Sequence, residues 1–215
     1  MQDIKVAVDA VVFGYFEKKD LHILLIKRKI DPYKGSWALP GGLVLNDENL
    51  DDAVTRELYE EAGIKPDFLE QLYTFGNLGR DPRNRVVSVA YLGLVNPSSH
   101  DIVADTDAEE VQWFSINKLP ALAFDHQTII DLALERLRNK IKYQPIGFNL
   151  LHEEFIFSEL ENLYQTIVGK NIDRRNFRKR ILSFDLITET QKLHKEGSGV
   201  LPSFLPSIKK NTMNW

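Results

Sequence analysis

The chain of 215 residues contains no cysteine and carries 27 Lys+Arg against 31 Asp+Glu, a net charge of −4. That excludes disulfides and thiolate metal sites, and no apolar run approaches the ~20 residues a membrane-spanning helix needs, so no membrane partner is expected. A hydrophobic content of 43% suffices for a sizeable core, the length allows one or two domains, and an N-terminus without a signal-peptide apolar stretch fits a cytoplasmic protein. The first elements are strands. Val6 to Phe16 and Leu21 to Lys29 are apolar, β-branched runs around the polar Glu17-Lys18-Lys19-Asp20, which predicts a hairpin. Lys27, Arg28 and Lys29 close the second run and bring positive charge suited to a phosphate-bearing ligand, with Arg28 the candidate contact. Trp37 is expected in the core.

Residues 41 to 64 organise the rest. Asn49 with Asp52 reads as an N-terminal capping box, Leu50, Ala53, Val54, Leu58 and Ala62 recur at helical spacing, and Gly63 suits a left-handed C-terminal cap. A helix from near Leu50 to Ala62 follows. Its other face carries Glu57, Glu60 and Glu61 at i, i+3 and i+4, so three carboxylates converge on one patch. Clustered carboxylates suit a hard divalent cation, Mg²⁺ (or Mn²⁺), although a solvated acidic face has the same pattern. Arg56 is the only cation of the helix, and Glu48 in the preceding loop can hold its guanidinium in a bidentate pair.

Phe68 to Leu78 and Arg85 to Val95 read as further strands, joined by Gly79-Arg80-Asp81-Pro82-Arg83-Asn84-Arg85. Arginine is the usual bidentate partner of phosphate, which makes Arg80, Asp81 and Arg83 candidate ligand contacts. Asp101 to Glu110, with Asp105, Asp107, Glu109 and Glu110, reads as an acidic loop, and Val111 to Phe114 as a closing strand. A helix then presents Ile129, Ile130, Leu132, Ala133, Leu134, Leu137 and Ile141 on a broad apolar stripe. His126 near its start is expected to be structural.

Pro145 and Gly147 mark a boundary, dividing the chain into 1–145 and 146–215. The charge divides there too: net −6 up to residue 149, from 17 Lys+Arg and 23 Asp+Glu, and net +2 beyond it, from 10 and 8. Ser158 and Glu161 suggest a capping box, opening a helix with Leu160, Leu163, Tyr164 and Ile167 buried and Gly169 at its end. Asp173 caps a second helix whose Phe177, Ile181 and Phe184 face inward. Arg175, Asn176 and Lys179 face outward, flanked by Arg174 and Arg178, five candidates for contact with double-stranded DNA. Helix, short turn and basic helix make a helix-turn-helix, and Leu186 to Thr190 with Val200 to Leu205, joined through Gly197-Ser198-Gly199, read as its wing.

Gly42, five residues, Glu48, seven residues and Arg56-Glu57-Leu58-Tyr59-Glu60-Glu61-Ala62-Gly63-Ile64 match every specified position of the Nudix signature. The resemblance implies an α/β/α sandwich with a mixed sheet over about residues 4 to 140. It implies Glu57, Glu60 and Glu61 as metal ligands, the Gly41 carbonyl as a further one, and Arg56 with Glu48 orienting them. It also implies a catalytic base from outside the box, for which the acidic loop is placed. With the winged helix-turn-helix, the chain resembles the Nudix-related transcriptional regulators, which sense ADP-ribose or, in related branches, sugars. A homodimer responsive to such a ligand is expected. Because the box is intact, hydrolysis of a nucleoside diphosphate stays open, and so does a hydrolase whose C-terminal part serves dimerisation.

Overall fold

The computed structural model describes residues 3–16, 20–100, 102, 108–196 and 199–206. The hairpin turn at 17–19, Asp105 and Asp107 of the acidic loop, and Gly197-Ser198 of the wing lie outside the described residues. Strands β1 (Ile4–Phe16), β2 (Asp20–Arg28), β3 (Trp37–Ala38), β4 (Gly41–Leu43), β5 (Phe68–Phe75), β6 (Arg85–Val95) and β7 (Ala108–Ser115) form one mixed sheet. Its order is β3-β2-β1-β6-β5, with β4 added to β1 and β7 to β2. Only β1 with β6 runs parallel among the pairs recorded. Two helices sandwich it: α1 (Leu50–Ala62) on one face and α2 (His126–Lys140) on the other.

Successive strand residues point to opposite faces, and β1 shows what this does. Val8, Ala10 and Val12 join Ala53, Val54 and Leu58 of α1, whereas Val11 and Phe13 join Ile129, Ala133 and Leu137 of α2. Burial on both faces explains why β1 is apolar from Ala7 to Phe13 save for Asp9. Asp9 belongs to the α2 side. Trp37 is half-buried, edge-on to Phe114 at 4.6 Å. Glu109 and Glu110 sit in β7 and not in a loop, each ion-paired with Lys27, which lowers their value as a water-activating base.

The box helix has the expected limits, and Gly63 has φ 68°. The capping box does not form: the Asn49 amide donates to the Asp52 carboxylate at 3.1 Å instead of a side chain accepting from the backbone.

The remainder comprises β8 (Phe155–Ile156), α3 (Phe157–Val168), α4 (Arg174–Ser183), β9 (Ile187–Glu196) and β10 (Gly199–Pro206), with strand order β8-β10-β9. This is a winged helix with a short third strand that sequence periodicity did not reveal. The α3 box also shifts: Glu159 accepts the Ile156 N–H at 3.1 Å, and Ser158 lies inside the helix.

The expected division at 145/146 falls at the start of a tight turn, residues 146–150, that is buried throughout. Gly147 is needed there, since a Cβ would lie 2.9 Å from Tyr164 Cε2. Phe148, Phe155, Leu163, Tyr164, Ile167 and Phe177 continue the same apolar core that holds Phe13 and Leu137. Arg138 of α2 donates to the Ile167 carbonyl at 3.1 Å. No helix among the described residues is long and apolar enough to cross a membrane.

Candidate ligand groove and DNA-facing helix

Asp9 is the charged interruption in β1, and the fold gathers partners around it. Its Oδ2 accepts from Ser88 Oγ of β6 at 2.5 Å and from Arg80 Nη2 at 3.0 Å, and its Oδ1 lies 3.4 Å from His126 Nε2. The Leu39 N–H donates to His126 Nδ1 at 2.8 Å, so Nδ1 is unprotonated and Nε2 carries its proton towards Asp9. Arg80 also forks onto Asp125, the residue before α2, at 3.0 and 2.7 Å. Burial alone would raise the Asp9 pKa, but His126, Arg80 and Ser88 together hold it well below the carboxylate range. Burial likewise opposes the Arg80 charge, and Asp125 and Asp9 outweigh it.

The neighbouring turn is self-bound. Asp81 accepts from Arg83 Nε and Nη2 at 3.1 and 2.8 Å and from the Arg83 N–H at 2.9 Å. The Arg83 bond is the chief cause holding the Asp81 carboxyl low. Arg28 donates from Nε to the Pro32 carbonyl at 2.9 Å and lies 4.9 Å over the Phe124 ring. Arg28, Arg80, Asp81 and Arg83 all line one cavity of about 80 Å³ with Asp9 and His126. Arg80, one of the candidate ligand contacts, is 6% exposed and acts as a strut through Nε and Nη2.

A groove of about 330 Å³ adjoins this cavity, sharing Arg28, Gly41, Gly42 and Arg83 and adding Lys29, Arg56, Glu57 and Glu61. Glu48 grips Arg56 through both oxygens, at 2.9 and 2.7 Å, as the spacing anticipated. Arg56 Nη1 then donates to Glu57 at 2.8 Å and Glu60 at 3.1 Å. Glu61 Oε2 accepts the Gly41 N–H at 2.8 Å. A side chain at 42 would collide with Glu57, whose Oε1 lies 2.3 Å from an ideal Cβ there.

The three box glutamates are thus divided among partners: Arg56 Nη1 bridges Glu57 and Glu60, and the Gly41 N–H holds Glu61. Arg56 draws Glu60 to a partly exposed position and Gly41 draws Glu61 inward. Among the described residues no group of three or more His, Asp or Glu is arranged to hold a metal ion. Glu57 and Glu61 nevertheless share the groove. Burial raises the Glu57 pKa, Glu60 and Glu48 add to this, and Arg56 opposes it. A confined carboxylate facing like charges is donor chemistry for a hard cation, so these two fit one, whereas Glu60 would first have to leave Arg56.

On α4, Phe177 and Ile181 are buried and all five candidate DNA contacts are exposed, Arg175 and Lys179 among them. The other three also have partners within the chain. Asp173 accepts both the Asn176 N–H and its side-chain amide, each at 3.0 Å, so Asn176 folds back onto the cap. Arg178 covers Phe157 at 4.5 Å and Phe204 at 5.7 Å, and Arg174 lies 3.5 Å from Glu161. Phe184, expected inward, is exposed at the helix end.

Sequence reasoning missed Asp9, Ser88 and Asp125. A lone aspartate within Ala7-Val8-Asp9-Ala10-Val11 was the available signal.

The NUDIX domain profile matches residues 3–133, and the profile of the NrtR DNA-binding winged helix domain matches residues 147–204. The ADPR responsive transcriptional repressor NtrR of Acinetobacter baylyi is 35% identical over 189 residues, covering 86% of this chain and 75% of that protein. An ADP-ribose pyrophosphatase of Methanocaldococcus jannaschii is 42% identical over 125 residues, 58% of this chain and 70% of that one. The crystal structure of Shewanella oneidensis NrtR complexed with a 27mer DNA superposes with a TM-score of 0.83 at 32% identity, covering 96% of this chain and 95% of that chain.

Proposed function

The chain belongs to the Nudix-related transcriptional regulators, ligand-responsive DNA-binding proteins with a Nudix domain, and on that premise we propose that its effector is ADP-ribose. Residues 1–145 bind the effector, and residues 146–215 bind double-stranded operator DNA in the cytoplasm. The observation that carries this reading is the continuity of the groove: Arg28 and Arg83 border both the small cavity and the space before Glu57 and Glu61. Guanidinium groups suit phosphate oxygens, and these two, whose Nε donors serve Asp81 and the Pro32 carbonyl, would offer Nη1 to a diphosphate reaching the box. A pyrophosphatase acting on ADP-ribose and a repressor responsive to it are both relatives, which supports the same molecule here.

Glu57 and Glu61 would hold a divalent cation, Mg²⁺ (or Mn²⁺), beside the Gly41 backbone. Such an ion supplies positive charge against the diphosphate. Arg56, fixed by Glu48, positions Glu57. Hydrolysis is the second reading, favoured by the assembled Glu48–Arg56–Glu57 array.

On α4, Arg175 and Lys179 reach the major groove, Arg174 and Arg178 lie beside them, and Asn176 does so after leaving its cap. One such helix offers little interface, so the protein acts as a homodimer over half-sites one helical turn apart or a multiple of it. ADP-ribose switches the dimer by binding its DNA-free and DNA-bound forms with different affinity.

Fluorescence anisotropy with a duplex from the promoter of the protein's own operon tests this. Wild type should prefer that duplex over random DNA, with ADP-ribose changing the affinity at least about fivefold. Arg175→Ala with Lys179→Ala should lose that preference, a base contact being worth about 1–3 kcal/mol, while ADP-ribose binding persists. ADP-ribose that binds without altering DNA affinity would falsify the effector assignment. A double variant as tight as wild type would remove α4 from the interface.

A further inference from the structure

We propose that Asp125 is the residue through which the DNA-binding half feels the effector: its carboxylate alternates between Arg80 of the ligand cavity and the N-terminus of α2, and α2 carries the change towards α4. This rests on the effector reading above and adds the coupling residue to it. Arg80 lines the cavity, and Asp125 accepts from its Nε and Nη2 at 3.0 and 2.7 Å. An anion entering the cavity competes with Asp125 for that guanidinium. Asp9 is the more deeply buried partner of Arg80, at 10% exposure against 21%, so Asp125 is the one that can leave.

A second place for this carboxylate is built in. Asp125 occupies the N-cap position of α2, where an aspartate ordinarily accepts a backbone N–H of the first turn. Here it makes no such bond. Its ψ of 19° lies outside the extended region that capping residues adopt, whereas Asp173, at the same position of α4, has ψ 105° and accepts the Asn176 N–H at 3.0 Å. The start of a helix also attracts negative charge. Capping therefore needs the backbone at 125 to rotate, and that rotation swings the first turn of α2. Phe124, directly before, is held at φ 53°, a left-handed conformation unfavourable for a bulky residue, so strain is stored at the joint that turns.

The far end of α2 meets the DNA-binding half. Arg138 Nε donates to the Ile167 carbonyl in the last turn of α3 at 3.1 Å, and Leu137 and Ile141 share a core with Leu163, Tyr164 and Ile167. Tyr164 in turn lies 4.8 Å from Phe177 on the underside of α4. At 1.5 Å per residue the 15 residues of α2 make a rod of about 22 Å. Closely packed helices shift as bodies, so a tilt set at Asp125 reaches α3 at Arg138.

Two variants of the full chain test the switch. Asp125→Asn weakens the hold on Arg80 but caps a helix as well as aspartate does. It should bring promoter-duplex affinity, read by fluorescence anisotropy, to that of ADP-ribose-saturated wild type, and added ADP-ribose should then change it by less than about twofold. With Asp125 no longer competing for Arg80, calorimetry without DNA should show ADP-ribose bound about two- to tenfold tighter, whereas loss of a merely supporting residue would weaken it. Arg138→Met should leave ADP-ribose and duplex binding, each measured alone, within about twofold of wild type, while the effect of one on the other falls by about threefold or more. Should either variant fail to fold, the other decides. A wild type indifferent to ADP-ribose overturns the effector reading and this proposal with it. A wild-type response retained in either variant, or weaker ADP-ribose binding in Asp125→Asn, overturns the switch alone.

Discussion

Replacing Arg80 with methionine removes a charge from the cavity beside Gly41 while keeping most of the side chain's length. In the native protein this side chain is 6% exposed and meets Asp9 at 3.0 Å, and its fork holds Asp125 at 3.0 and 2.7 Å. Without it, Asp9, itself 10% exposed, keeps only Ser88 and His126. Breaking a buried ion pair from one side costs about 3–5 kcal/mol. In a chain of this length about 1 kcal/mol moves Tm by ~2–4 °C, so Tm should fall by roughly 6–20 °C. Urea unfolding followed by tryptophan fluorescence near neutral pH measures the loss. Asp9→Asn combined with Arg80→Met removes both charges and should recover much of it, a coupling of about 2 kcal/mol or more. A single variant within about 1 kcal/mol of wild type, or strictly additive effects, would show that Arg80 is no strut. It would then be a free arm for phosphate, as its sequence context first suggested.

Three further outcomes are expected. The folded-state Asp9 pKa lies below its unfolded value, so its stabilisation is complete above about pH 4 and lost as pH falls through the folded value. Urea midpoints should therefore decline on acidification less steeply in Asp9→Asn than in wild type, and parallel declines would contradict this. Glu61→Gln retains an acceptor for the Gly41 N–H, so the fold should persist while Mn²⁺ affinity, measured calorimetrically, drops about tenfold or more. Unchanged affinity would remove Glu61 from the donor set. Gly147→Ala overfills the contact with Tyr164 and should cost about 1–3 kcal/mol, read as a lower urea midpoint; a neutral result would mean the turn can shift.

The limits of α1 were legible because an apolar stripe at helical spacing ends at a glycine, two local signals that agree. On α4 the spacing of Phe177 and Ile181 gave the buried face, but with no glycine to end it the stripe was carried on to Phe184, which is exposed. What local patterns could not supply was the choice among partners. Arg56 could be assigned to Glu48, but spacing did not show that its Nη1 also bridges Glu57 and Glu60, occupying carboxylates that the pattern offers to a metal. Asn176 has a base-reading side chain, yet a carboxylate three residues earlier holds it. Asp9 meets Arg80, Ser88 and His126 only because β1, β6 and the start of α2 come together at one point, across as many as 117 positions of chain. The two-residue strand β8 is too short for periodicity and exists because β10 pairs with it.

The apolar core that runs from Phe13 through Phe148 to Phe177 governs how this protein fails. In a regulator built as two loosely tethered halves, heat or a protease can destroy the sensor and leave a fragment that still occupies DNA. Here the stacked Phe148 and Phe155, 5.8 Å apart, and the Tyr164–Phe177 contact at 4.8 Å tie the underside of α4 to the body of the sheet. Stripping away residues before the turn would leave Phe148, Leu163 and Ile167 facing water, and the basic helix would lose its platform. Damage to the Nudix half should therefore disable the winged-helix half as well, because the two share one core.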